Sequence, residues 1–180
     1  MTVKQQILIS GVGGQGVLFV TRLLAEAAMM KGFPVLTSET HGMAQRGGTV
    51  VSHLKVGDFS SPLIRPFSAD GLLALKPESL EQHGTFVKIG GWAIVNSSRQ
   101  LQAASELKVT SVDADRLASD IGNLKAVNLI MLGAALSKLS GTQDFFCTLD
   151  DIKTVLSTQI FGTSSKLETF TAAIDAGYRV

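Results

Sequence analysis

Apolar and polar positions along the chain change period several times, and each change marks an element. Gln6-Ile7-Leu8-Ile9-Ser10 is a short continuous apolar run and reads as a buried strand. Val17 to Met30 is dense in Val, Leu, Ala and Met and reads as a helix. Lys31-Gly32-Phe33-Pro34 ends it: Gly32 can take a left-handed cap, and Pro34 prevents continuation. Val35 to Glu39 is a second strand, so the opening predicts a βαβ unit with a right-handed crossover and a parallel sheet. Thr49 to Val56 alternates, is rich in β-branched residues and closes at Gly57-Asp58, which predicts a third strand.

The second half carries weaker strands and stronger helices. Ser60 to Ser68 is irregular, Gly71 to Leu75 is a short strand, and Pro77 to Gln82 is a short helix with proline at its start. Thr85 to Ile89 and Trp92 to Asn96 are two strands joined at Gly90-Gly91 or one bent strand. Lys108 to Val112 is a last strand. Asp113 then caps a helix that Gly122-Asn123 breaks. Ala126 to Leu139 is a helix apolar on most faces, which places it inside the fold or against another chain. Leu149 to Ile160 and Lys166 to Tyr178 are two further helices. The pattern predicts a single domain over residues 1–180: α/β, with a Rossmann-like, mostly parallel sheet flanked by helices, and helices at the C-terminal end.

Two glycine-rich segments interrupt this pattern. Gly11-Val12-Gly13-Gly14-Gln15-Gly16 lies between the first strand and the first helix. Glycine permits a sharp turn and a close approach, and the following helix start offers unpaired N–H groups to an anion. The spacing Gly11-x-Gly13-x-x-Gly16 fits a dinucleotide-binding turn, with Glu39 as the candidate ribose ligand. The alternative is plain close packing. No Gly-Lys-Ser/Thr follows, so this is not a nucleoside-triphosphate loop. Gln15 can direct its amide at a ligand or at the second segment, Thr40 to Gly48, which is expected to be a loop beside the first. Its Arg46-Gly47-Gly48 exposes a guanidinium suited to phosphate or carboxylate, or to a partner's acidic residue.

Composition narrows the classes. The chain has 180 residues, a net charge of +1 and 17% charged residues. That balance argues against nucleic-acid binding, and the low charge suits a surface partly covered by a partner. The single cysteine, Cys147, cannot build a Cys₄ zinc site or an iron–sulfur cluster, and it suits a reducing cytoplasm. No segment reads as a signal peptide or a membrane span. His41 is a lone loop histidine able to donate a hydrogen bond, His53 and His83 lack metal-compatible neighbours, and no nucleophile–base motif is present. Catalytic and metal-binding residues are therefore not assigned.

Three stretches together resemble one family. They are Gly11 to Val17, Glu39-Thr40-His41-Gly42-Met43-Ala44-Gln45-Arg46-Gly47-Gly48, and Val127-Asn128-Leu129-Ile130-Met131-Leu132-Gly133-Ala134. Lys166 to Tyr178 is similar as well. The family is the gamma subunit or domain of thiamine-diphosphate-dependent 2-oxoacid:ferredoxin oxidoreductases. The His-Gly-Met-Ala-Gln-Arg-Gly-Gly form looks like the indolepyruvate branch, whose small chain is called beta. The resemblance implies a non-catalytic subunit of a complex that converts a 2-oxoacid and coenzyme A to acyl-CoA and carbon dioxide while reducing ferredoxin. It places thiamine diphosphate, magnesium and iron–sulfur clusters in partner subunits. It leaves coenzyme A as a possible ligand at Gly11, Gly13, Gly14, Gln15, Gly16, Arg46, Gly47 and Gly48. A stand-alone nicotinamide- or flavin-binding oxidoreductase is the competing reading.

Overall fold

The computed structural model describes residues 3–41, 48–103, 106–140, 145–159 and 164–180. Six strands form one sheet: β1 (Gln5–Val12), β2 (Val35–His41), β3 (Thr49–Val56), β4 (Ala69–Ala74), β5 (Val87–Asn96) and β6 (Lys108–Val112). Their spatial order is β2-β3-β1-β4-β5-β6. The pairs β1–β4, β4–β5 and β5–β6 are parallel, whereas β3 runs antiparallel to both β1 and β2. The sheet is therefore mostly parallel with one reversed strand.

That reversed strand corrects the expected opening unit. β1 and β2 do run in the same direction, but β3 lies between them instead of the two pairing directly. The physical reason lies in β3 itself. Seven of its eight residues are buried, so it is satisfied only with sheet on both sides. β2, with polar Thr37 and Glu39 exposed, takes the edge. Gly90-Gly91 fall inside a single strand, β5, with Gly90 at φ 74°, at a bulge where the pairing with β4 jumps from Ala69–Val87 to Gly71–Trp92.

Strand alternation splits the core into two layers. Ile7, Ile9, Leu54, Leu73 and Ile94 face a thick helical layer. It contains α1 (Val17–Met30), α3 (Ala114–Asp120), α4 (Val127–Leu139), α5 (Leu149–Gln159) and α6 (Ser164–Tyr178). Leu8, Leu72, Ala93 and Val95 face the other way, against α2 (Glu78–His83) and the segments carrying Ile64 and Leu107.

Local signals explain most boundaries. Gly32 adopts φ 80° and its N–H donates to the Met29 carbonyl at 2.9 Å, closing α1. Asp113 caps α3, its carboxylate accepting from the Arg116 amide at 3.0 Å. α4 is the apolar helix of the sequence, and it is buried within its own chain: Leu129, Ile130, Met131, Leu132 and Leu136 are all core residues. Its apolarity is thus no sign of a partner. Cys147 is packed in the same core, where burial pushes its thiol pKa up, so it is an inert apolar filler.

Candidate functional site

The carboxyl ends of β1 and β4 and the amino end of antiparallel β3 meet at one edge of the sheet. The first glycine segment turns there. Gly14 and Gly16 adopt φ 92° and 79°, conformations that favour glycine. At Gly16 a Cβ would also strike the side-chain amide of Asn128, which α4 delivers to the turn. Asn128 is buried and its Nδ2 reaches the Gly16 carbonyl at 3.5 Å. At Gly11 a Cβ would lie 2.7 Å from Gln15 Oε1 and 3.0 Å from Val17.

Gln15 turns inward. Its Oε1 accepts from the Val12 amide at 2.8 Å, and its Nε2 donates to the Leu75 carbonyl at 3.4 Å. It shapes the turn and ties it to the end of β4. A glutamine does this because one side chain supplies an acceptor and a donor.

Gly13 differs from the other three. It is exposed, its φ is not positive, and a Cβ built on it meets nothing within 4 Å. Nothing among the described residues explains its lack of a side chain. Its N–H donates to the Gly48 carbonyl at 3.1 Å, so the two glycine segments do lie side by side. Gly48 is the described end of the second segment; Arg46 and Gly47, and the side chain of His41, fall outside the described residues.

Two further features of this edge come from distant segments. α1 begins at Gly16 with no side-chain cap and no acidic residue in its first turn, leaving its positive end uncompensated. Lys76, just after β4, donates to Thr49 Oγ1 at 3.2 Å, which places an ammonium beside the paired glycine loops. Neither Lys76 nor Asn128 carries a local sequence signal for this role. α2 is fixed to the same edge by a buried hydroxyl pair, Ser10–Ser79, at 2.9 Å. A cleft of about 630 Å³ lies beside α2, lined by Leu80, Leu101 and Ala103, with Glu78 and Glu81 at its wall. Those carboxylates make it unsuited to phosphate.

Glu39 does not approach the turn as a ribose ligand requires. It pairs with Ser52 on β3, exposed on the edge strand, and β3 separates it from β1. Among the described residues no group of three or more His, Cys, Asp or Glu is placed to hold a metal. His53 is instead structural: its Nδ1 accepts from the Ile64 amide at 3.1 Å, and burial, followed by Lys55 and His83, holds its pKa below 6.5.

Residues 6–180 match the family model described as pyruvate ferredoxin/flavodoxin oxidoreductase. The chain belongs to this family. Indolepyruvate oxidoreductase subunit IorB of Archaeoglobus fulgidus is 33% identical, over 72% of this chain and 75% of that one. The keto/oxoacid ferredoxin oxidoreductase gamma subunit of Geobacter sulfurreducens shares the fold, with a TM-score of 0.78 and 22% identity over 97% of this chain and 96% of that one. The 2-oxoglutarate:ferredoxin oxidoreductase of Magnetococcus marinus, solved with 2-oxoglutarate, coenzyme A and succinyl-CoA, contains the same fold at a TM-score of 0.80 and 22% identity. The match covers 99% of this chain and 31% of that one. Within the pyruvate ferredoxin/flavodoxin oxidoreductase family this chain is a subunit of an oxidoreductase complex. The stand-alone nicotinamide or flavin reading is set aside, consistent with the misplaced Glu39. No helix among the described residues is long and apolar enough to cross a membrane.

Proposed function

We propose that this chain is the non-catalytic small subunit, a single domain over residues 1–180, of an indolepyruvate-type 2-oxoacid:ferredoxin oxidoreductase. Its paired glycine loops face the catalytic partner at the coenzyme A entrance. Gly13 carries this reading: it is bare, exposed and unexplained by packing among the described residues, so its missing side chain leaves room for another molecule. Coenzyme A brings phosphates, and the residues at this edge fit them: the uncapped start of α1, the exposed Gly13 and Gly14, and Lys76. Arg46, Gly47 and Gly48 complete the proposed contact. Leu18, 39% exposed one residue into α1, adds apolar surface for the partner beside the turn.

Iron–sulfur clusters do not fit this chain's own donors. It has one cysteine, buried in the core, and a cluster requires several thiolates. These clusters, with thiamine diphosphate and magnesium, belong to partner subunits, and ferredoxin is met through the complex. Within such an assembly this subunit binds, orients and excludes, while the cofactors carry the chemistry. The unpaired thiol suits a cytoplasmic complex.

The test is Arg46→Ala in the assembled enzyme. The reading predicts a raised apparent KM for coenzyme A with little change in the KM for the oxoacid. Unchanged coenzyme A dependence with weakened assembly would sink the coenzyme A role and leave the loops as a subunit interface only.

A further inference from the structure

Near the opposite end of β1 from the glycine turn lie three cations with no carboxylate partner among the described residues. Lys55 lies on β3, opposite Gln6 on β1 and Leu36 on β2, and is only 7% exposed. Its ammonium sits 5.0 Å from the centroid of the Phe59 ring, and that of Lys4 sits 4.8 Å from the same centroid. Arg65 adds a third positive charge whose field acts on Lys55. Its backbone is held in place. The preceding Ile64 is buried and donates to His53 Nδ1 at 3.1 Å, and the Arg65 carbonyl accepts from Ser68 at 3.2 Å.

Among the described residues no carboxylate forms an ion pair with any of the three. Asp58, next to Phe59 in sequence, is exposed and takes no part. Buried charges are normally paired, and an aromatic face offsets only about 0.5–2 kcal/mol of a cation's desolvation. Burial, then the charges of Arg65 and Lys4, lowers the Lys55 pKa from its ordinary value. The buried position of Lys55 beside Lys4 therefore concentrates positive charge at this corner of the sheet.

We propose that Lys4 and Lys55, both held against Phe59, form with Arg65 a binding site for the phosphate group of a small molecule, separate from the glycine-turn edge. A phosphate dianion matches a group of neighbouring cations better than a single carboxylate does. Phe59 fixes the two ammonium groups and offers an apolar surface to the rest of the ligand. The site is independent of the coenzyme A reading, since it lies at the other end of β1 and uses none of the same residues.

The experiment is a calorimetric titration of inorganic phosphate into the full chain at low ionic strength. One saturable site is the expected result. Lys4→Ala and Arg65→Ala, both at exposed positions that leave the core untouched, should each weaken it by about fivefold or more. Lys166→Ala, on the exposed face of α6, should leave it unchanged. Absence of saturable binding, affinity retained in both variants, or acetate binding as tightly as phosphate would each overturn the proposal.

Discussion

Four glycines within six residues serve different purposes, and substitution separates them. Gly16→Ala places a side chain at φ 79° against Asn128, and the strain should cost about 1–3 kcal/mol of folding stability. Gly13→Ala meets open space at an ordinary φ, so urea unfolding should be unchanged within about 0.5 kcal/mol. In the assembled enzyme the same Gly13→Ala should raise the coenzyme A requirement or weaken subunit binding. Gln15→Ala removes the partner of the Val12 amide and should cost about 1–3 kcal/mol. The imidazole of His53 provides a pH-dependent contribution. Its pKa in the fold lies below 6.5, so the unfolded chain binds the proton more readily. Stability from the neutral ring is complete above pH 6.5 and is lost as the pH falls below that value. Burial and Lys76 shift His83 in the same direction. Urea midpoints should therefore drop between about pH 7.5 and 5.5, and His53→Gln should flatten part of that slope.

Helix α4 and helix α6 approach each other through glycine on both sides. A Cβ on Gly133 would strike the Ile174 carbonyl, and one on Gly177 would strike that of Ile130. Either alanine substitution forces the helices apart and should cost about 1–3 kcal/mol, read by urea unfolding. Gly71 plays the same part in the sheet, since a Cβ there would overlap the Trp92 indole. Trp92 is the only tryptophan, so Gly71→Ala should shift the intrinsic emission as well as lower stability. At this scale much was readable from periodicity. The span of α4, the Gly32 stop and the Asp113 cap rest on local chemistry and follow from neighbouring residues. The direction of β3 does not: a period of two identifies a strand but carries no orientation, and its place between β1 and β2 depends on burial of both its faces. The apolar wrap of α4 likewise specified burial without saying by what, and α6 supplies the answer from forty residues away in the chain.

The whole molecule is asymmetric in use. One face of the sheet carries five helices and the larger core, the other a single short helix and loops. The edge at the carboxyl end of β1 gathers the glycine turn, Gly48, the uncapped start of α1 and Lys76. The glycine spacing was legible in the sequence, and so was the closeness of the two loops. Lys76 and Asn128 were not, because chain folding alone brings them there. The inward turn of Gln15 also escaped, because residue type does not reveal which of several polar partners is nearest. Hydrogen exchange should register docking at this edge. Amides at the start of α1, residues 16–18, should exchange readily in the isolated chain and be protected in the complex, whereas equal exchange in both would move the interface elsewhere.

The central claim is that this chain works as one subunit of a larger oxidoreductase. Its most direct test is purification of the tagged chain from its native cells, with the eluate analysed for partner proteins, thiamine diphosphate and iron. The account predicts a larger partner carrying both cofactors, with oxoacid- and coenzyme A-dependent reduction of ferredoxin in the eluate. Recovery of the chain alone with a bound nicotinamide or flavin would contradict it.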